Sequence, residues 1–147
     1  MMKDLLIRHG CESDLMALQA LLASHRMETQ VDPAEFWLAE VEGSLAGAAR
    51  LEIENETAYL RPIAVDQNWQ AKGIGRALIQ KLVADLTQLN VVARGEAVGF
   101  YTQLDFMPVA WEQVPERYRQ ECADCSDYEA CRPAPMIWDR GQTGSNS

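Results

Sequence analysis

No stretch of the 147-residue chain approaches the roughly 18 to 20 consecutive apolar residues that a helix crossing a bilayer requires, so no membrane-embedded function is expected. The opening Met1-Met2-Lys3-Asp4-Leu5-Leu6-Ile7-Arg8 is broken by charge too early for a secretory signal, and a cytoplasmic location is the expectation. Basic residues are scarce: 13 Lys and Arg stand against 22 Asp and Glu, for a net charge of −9, and no basic run could follow a phosphate backbone. Nucleic acid is therefore not an expected partner. In so acidic a chain any anionic ligand must be held by a local arrangement against the overall field, which makes the few basic clusters informative. A spread-out disulfide framework is missing too, because Cys122, Cys125 and Cys131 crowd within ten residues while Cys11 stands alone. There is no internal repeat.

Hydrophobic residues make up 48% of the chain, enough for one domain with a real core. The expected organisation is a single domain over residues 1–140, containing a cysteine-bearing C-terminal loop at 112–135, with a disordered Gly/Ser/Asn-rich tail at 141–147. Residues 4–9 suit a first strand, and Ser13 is placed to cap a helix carrying Leu15, Leu18, Leu21, Leu22 and His25. Two β-rich runs, 36–41 and 45–53, flank a turn at Glu42-Gly43-Ser44, and a further turn at 54–56 leads to a run over 57–65. Pro62 cannot donate to a ladder and should interrupt or bulge that run. The strongest helix pattern covers 73–86. A strand at 89–93, a short helix at 96–104, a strand at 106–111 and a short helix at 114–121 follow, whereas Pro133-Ala134-Pro135 argues against regular structure before a last strand at 136–139. The tally is α+β, a mixed domain in which antiparallel hairpins precede one βαβα unit.

The segment Val65-Asp66-Gln67-Asn68-Trp69-Gln70-Ala71-Lys72-Gly73-Ile74-Gly75-Arg76-Ala77-Leu78 joins a strand end to that helix. A first helical turn ordinarily favours acidic residues, since its exposed N–H groups carry about half a positive charge. Lys72 and Arg76 occupy it here, and a bound anion would remove the conflict. Gly73 and Gly75 would let a phosphate or pyrophosphate approach the backbone. The plainer alternative is a glycine turn with solvated basic side chains. A Walker A loop is excluded by the order Lys72-Gly73-Ile74, and the dinucleotide fingerprint by Leu78 where a third small residue is required.

Gln70-x-x-Gly73-x-Gly75-Arg76-Ala77-Leu78 after Ile63-Ala64-Val65 resembles the acyl-CoA-binding motif of the GNAT superfamily. A second element of that family, an aromatic-Tyr pair ahead of a Gly-Phe, is echoed by Phe100-Tyr101 and Asp105-Phe106, with Asp105 where the family usually has glycine. The resemblance covers about residues 4–111 and implies a splayed, mostly antiparallel central sheet flanked by helices. It further implies that acetyl-CoA is the co-substrate, with Ala64 and Val65 pairing with the pantetheine arm. The amides of Gln70, Ala71, Lys72, Gly73, Ile74, Gly75 and Arg76 would then hold the pyrophosphate. Tyr101 is implied as the acid that protonates the leaving thiolate, and a backbone N–H near Val65 as the oxyanion donor.

Glu52, Glu54 and Asp66 are the carboxylates available as base, and Glu52 is the candidate carried forward. Tyr59 stands where some relatives have a glutamate. Arg50 and Arg61, on expected strands, could pair with a substrate carboxylate, although surface ion pairs are the commoner fate of such side chains. Beyond Trp111 the chain is similar to N-acetylglutamate-synthase-like members, which makes a small-molecule amine, and an amino acid in particular, the expected acceptor. A homodimer is compatible with this reading. Cys122, Cys125 and Cys131 offer three thiolates at spacings that a structural zinc could use, with His9, Cys11, His25, Asp124 or Asp127 as the fourth ligand. Free thiols, or a Cys122–Cys125 redox pair, remain open alternatives. Two functional classes therefore stand: an N-acetyltransferase, and a non-catalytic acyl-CoA-binding or partner-docking module of the same fold.

Overall fold

The computed structural model describes residues 4–126 and 128–141. The chain packs as two compact units, Met1–Glu52 with Leu60–Asp85, and Ile53–Tyr59 with Leu86–Ser147.

The first unit begins with β1 (Leu5–His9), α1 (Leu15–Ser24), β2 (Phe36–Val41) and β3 (Ser44–Glu54), the last running on into the second unit. Glu42 and Gly43 both take positive φ, 53° and 82°, so the β2–β3 connection is a two-residue turn whose twist suits a hairpin. Asn55 and Glu56 repeat the device, at 52° and 66°, before β4 (Thr57–Val65). β1 pairs antiparallel with β2 from Leu5↔Val41 to His9↔Trp37, and β2 with β3, with a bulge at Ala39/Glu40. β4 runs unbroken through Pro62, contrary to the interruption expected there; the Arg61–Pro62 bond is cis.

Small residues on β3 decide how helices meet this sheet. Ala48 belongs to a core cluster with Leu18, Leu21 and Leu22 of α1, together with Phe36, Leu38 and Ala64. Its neighbour Gly47 points the other way, as alternation along a strand requires. A Cβ at Gly47 would stand 2.8 Å from Ile74 Cγ2, 3.1 Å from the Ala64 carbonyl oxygen and 3.2 Å from Leu78 Cδ1. The second helix, α2 (Ile74–Val83), can therefore lie close on the strands only because position 47 has no side chain. Ile74, Leu78, Ile79 and Leu82 are its buried face.

The turn from β1 into α1 is held by charge. Arg8 donates two parallel bonds to Asp14 (2.8 and 2.9 Å) and also reaches Glu40 on β2 at 2.8 Å. Asp14 further accepts the Cys11 N–H at 2.8 Å. Asp14, not Ser13, occupies the N-cap position, because residues 12–14 form a single 3-10 turn before α1 starts. The Arg8 hydrogen bonds, aided by the Cys11 N–H, hold the Asp14 carboxyl well below the usual carboxylate range.

The second unit carries the start of β4, then β5 (Gln88–Ala93), α3 (Val98–Gln103), β6 (Met107–Pro108), α4 (Glu116–Ala123), α5 (Tyr128–Cys131) and β7 (Ala134–Asp139). Tyr59 of β4 pairs in parallel with Asn90 of β5, while β5–β7 and β6–β7 are antiparallel. Its core holds Tyr59, Val114 and Tyr118, with the two phenol rings edge to face at 4.9 Å. The strand expected over 106–111 shortens to two residues because a 3-10 turn begins at Trp111. Pro135, expected to bar regular structure, lies inside β7: a proline near the start of a strand forfeits only its donor, and the Pro135 carbonyl still accepts from Val109 N–H at 3.1 Å. The seven strands hydrogen-bond in the order β1-β2-β3-β4-β5-β7-β6, the mixed, mostly antiparallel sheet that was expected. Among the described residues no helix is long and apolar enough to cross a membrane. The expected tail lies outside the described residues, save Gly141.

Gly47→Val should lower the thermal midpoint by an amount corresponding to about 1–3 kcal/mol of overpacking, read by calorimetry; an unchanged midpoint would show that α2 can shift off β3 freely. Asp14→Asn should also destabilise at pH 7. Since the folded-state pKa of Asp14 is depressed, its contribution is present above about pH 4 and is lost as pH falls further, so the gap between variant and wild type should close in acid. A gap independent of pH would mean that the charge on Asp14 plays no part.

Candidate functional site

β4 ends at Val65, and Asp66 at once caps a single 3-10 turn, Gln67–Trp69, by accepting the Asn68 N–H at 2.9 Å. The Asp66 N–H itself donates to the Ala46 carbonyl at 2.7 Å, so strand pairing persists to the point where the loop departs. Ala71 and Gly73 then take left-handed φ of 63° and 87°. Gly73 is the N-cap of α2; its carbonyl accepts from Ala77 N–H at 3.0 Å, which opens the helix and leaves the N–H groups of Ile74, Gly75 and Arg76 without intrahelical partners. A left-handed residue followed by right-handed ones turns successive amides toward one side, the concave arrangement that anions occupy. Gln70, Ala71, Lys72, Gly73 and Arg76 are exposed, and a Cβ at Gly73 would meet nothing within 4 Å. The loop is open to solvent, and no acid stands in the first turn of α2. Seven expected cofactor contacts, Gln70 to Arg76, thus fall on one loop and helix start.

Ala64 is buried and Val65 half-buried. The Val65 carbonyl accepts from His25 Nε2 at 2.9 Å and from Gln70 Nε2 at 3.2 Å. A carbonyl only accepts, so His25 carries its proton on Nε2. The side chain of Gln70 is thereby folded back onto the strand end. This tether was not legible in the sequence, since forty residues separate His25 from Val65 and nothing local marks the pair.

Each carboxylate considered as base has a partner. Glu52 lies 3.5 Å from Arg50 Nη2 and 3.8 Å from Arg61 Nη1, Glu54 lies 3.5 Å from Arg117 Nη2, and Asp66 serves the cap just described. Arg50 also donates to the Arg61 carbonyl at 2.9 Å and stands 3.7 Å from Glu35 and 5.3 Å from the Phe36 ring centre. Two guanidinium groups thus converge on Glu52. A carboxylate so placed is better suited as their counter-ion than as a proton acceptor.

Tyr101 sits on α3 with 4% of its surface exposed, its ring edge-on to Phe100 and Phe106 at 5.1 Å each. Burial pushes the phenol above its ordinary pKa, so it holds its proton throughout the neutral range. Asp105 takes φ of 72°, the left-handed geometry that a glycine would otherwise supply, and Phe106 N–H closes back on the Tyr101 carbonyl at 3.1 Å.

The cysteines are spread over the end of α4, its link and the end of α5. Cys125 N–H donates to the Cys122 carbonyl at 3.2 Å, and both residues border a cavity of about 630 Å³ with Trp111, Arg119 and Tyr128. Among the described residues no three His, Cys, Asp or Glu side chains are grouped to hold a metal ion. The thiols lie on successive short elements and not on one loop folded about a centre, so the described geometry lends the zinc expectation for Cys122, Cys125 and Cys131 no support. His9 stacks on Trp37 at 3.6 Å, His25 holds Val65, Cys11 contacts Ser13, and Asp124 accepts from Gln120; Asp127 lies outside the described residues.

Comparisons with known proteins agree with this geometry. At 25% identity over 107 residues, the chain is similar to an N-acetyltransferase of Chlorobaculum tepidum, covering 70% of this chain and 69% of that protein. Its fold superposes on N-acetylglutamate synthase of Neisseria gonorrhoeae, solved with coenzyme A and N-acetyl-glutamate, with a TM-score of 0.74 and 16% identity over 92% of this chain. That match spans only 35% of the synthase. A Mycobacterium tuberculosis protein solved with CoA superposes with a TM-score of 0.70 and 20% identity, covering 91% of this chain and 98% of the other. The acetyltransferase (GNAT) domain model matches residues 32–108, more than half of the chain, and with the strand–loop–helix geometry above it establishes that the chain belongs to the GNAT family of acetyl-CoA-dependent N-acyltransferases.

Proposed function

We propose that the protein transfers the acetyl group of acetyl-CoA to the amine of a small molecule, an amino acid in particular. The observation that carries this reading is the left-handed Gly73 cap, which presents the first amides of α2 from an open loop that bears Lys72 and Arg76 and no acid. The pyrophosphate would rest on the amides of residues 70–76, where phosphate charge relieves the basic first turn. Ala64 and Val65 would receive the pantetheine arm. Because the Val65 carbonyl already accepts two hydrogen bonds, the strand's N–H groups are the better partners.

In the reaction the neutral amine attacks the thioester carbonyl carbon, the tetrahedral oxyanion is stabilised by a backbone N–H near Val65, and the C–S bond breaks. The departing thiolate takes a proton from Tyr101, or is stabilised by a hydrogen bond from it. A buried phenol is a weaker acid than one in water, which by itself disfavours transfer. A thiolate expelled into equally dry surroundings has its own pKa raised by the same desolvation, and this restores much of the match. Glu52 does not suit the role of base while Arg50 and Arg61 hold it; the amine enters already neutral from bulk solvent, the proton that its nitrogen sheds as the intermediate collapses passes to water, and Tyr101 recovers the proton it gave from solvent. The two arginines, which lie 3.5 and 3.8 Å from Glu52, support recognition of an acceptor carboxylate, and the synthase fold match points to the same class. A cytoplasmic location fits such substrates.

Gly75→Glu should abolish acetyl-CoA binding in calorimetric titration while leaving the far-ultraviolet circular dichroism unchanged, since it places negative charge where phosphate is proposed to sit. Retained affinity would remove the pyrophosphate assignment. In a CoA-thiol release assay with free amino acids and their carboxyl-blocked amides, Tyr101→Phe should lower kcat by roughly 10² to 10⁴ with acetyl-CoA affinity little changed. Undiminished turnover would mean that another group serves the thiolate. Binding of acetyl-CoA without turnover on any acceptor in wild type would favour the non-catalytic module.

A further inference from the structure

Within the second unit a cavity of about 240 Å³ lies among the start of β4, β5, β7 and the segment 109–114. Its polar lining is Thr57, Tyr59, Gln88, Asn90 and Gln113, and the rest is valine, proline, methionine and isoleucine. No charged side chain borders it. Asn90, 8% exposed, is the buried polar residue of the described chain, and its amide nitrogen reaches the Ala58 carbonyl only at 3.5 Å, the outer limit of a hydrogen bond. A carboxamide offers two donors and a two-lone-pair acceptor, so this one contact uses only part of its capacity, on a residue that lines the cavity. Such groups are costly to bury and are almost always satisfied in folded proteins.

The lining decides what could satisfy it. An ion entering here would give up hydration with no charged side chain in the lining to replace it. Tyr59 adds a neutral hydroxyl, since burial and the nearby Glu54 both keep its phenol protonated. A ligand that pairs with a carboxamide through one donor and one acceptor side by side is another carboxamide, which forms two reciprocal N–H···O bonds with Asn90. The aliphatic wall would cover a compact apolar body attached to it. We propose that this cavity is a binding site for a small uncharged molecule bearing a primary carboxamide, with Asn90 as the residue that reads the amide. The site is independent of the acyl-transfer reading, because every residue in it lies outside the Gly73 loop.

The test is a titration of ¹⁵N-labelled full-length protein with benzamide, benzoate and benzamidine, following the side-chain NH₂ signals of Asn90. Benzamide should shift them saturably and the two charged isosteres should not. Asn90→Leu should weaken benzamide binding about tenfold or more, as expected for loss of a hydrogen-bonded pair. Should that variant fail to fold, Val109→Phe, which fills the cavity from the covering segment, should block benzamide instead. Absence of a saturable benzamide shift would mean that water alone satisfies Asn90, and would overturn the proposal. An equal response to benzoate, or full binding in both variants, would overturn it as well.

Discussion

The contact on which the candidate site depends is the close approach of α2 to the sheet at Gly47. With Ile74 and Leu78 seated where a side chain at position 47 would otherwise stand, the helix axis is held against β3 and the Ala64 region of β4. That seat sets where the first turn of α2 lies relative to the end of β4. The loop between them must then span a short gap within a few residues, and it does so through a capped 3-10 turn and two left-handed residues. The placement of the open amides at the start of α2 is thus a consequence of packing. Their direction is decided by a glycine that is not itself near them in sequence.

Electrostatics around this frame serve two separate purposes. Arg8, Asp14 and Glu40 form short, well-directed bonds that hold a chain turn, the geometry in which charge contributes to stability. Arg50 lies 3.5 Å from Glu52 and 3.7 Å from Glu35, and Arg61 lies 3.8 Å from Glu52, so two guanidinium groups there meet two carboxylates in looser pairs. Contacts of that length are easily exchanged for a better partner. The exposed Lys72 and Arg76 are the complementary case, basic groups whose local environment lacks an acid. In a chain of net charge −9, such concentrations of positive charge are where anionic ligands have reason to dwell.

Two of the phenols in the second unit, Tyr101 and Tyr59, show how one residue type takes different parts. Tyr101, wrapped by Phe100 and Phe106, is pushed up in pKa by desolvation alone. Tyr59 joins Tyr118 in the core and owes part of its shift to Glu54. The second therefore reads as a structural and cavity-lining group, while the first sits in the family's aromatic-Tyr element. The thiols, in contrast, are not gathered about a metal centre among the described residues.

Hairpin turns, the amphipathic α2 and the glycine spacing of the phosphate loop were all legible in the sequence, because each is set by interactions within a few residues. Positive φ at Gly43 and Gly73 and the apolar spacing of Ile74, Leu78 and Leu82 are local requirements that residue type meets. What sequence reading misplaced were features decided at a distance. Pro135 joins a strand because β5 and β6 lie ready on either side, and Asp14 takes the N-cap place expected for Ser13 because residues 12–14 form a 3-10 turn, which Arg8 holds from β1. The occupation of the Val65 carbonyl by His25, the engagement of every candidate base, and the left-handed turn at Ala71, for which alanine has no preference, depend on partners tens of residues away or on the closure of the loop. Sequence by itself determined the family and the left-handed glycine cap that opens α2, since backbone geometry near glycine is a short-range property. Only the tertiary structure decided which polar groups remain available for chemistry, since that depends on which hydrogen bonds folding has already made.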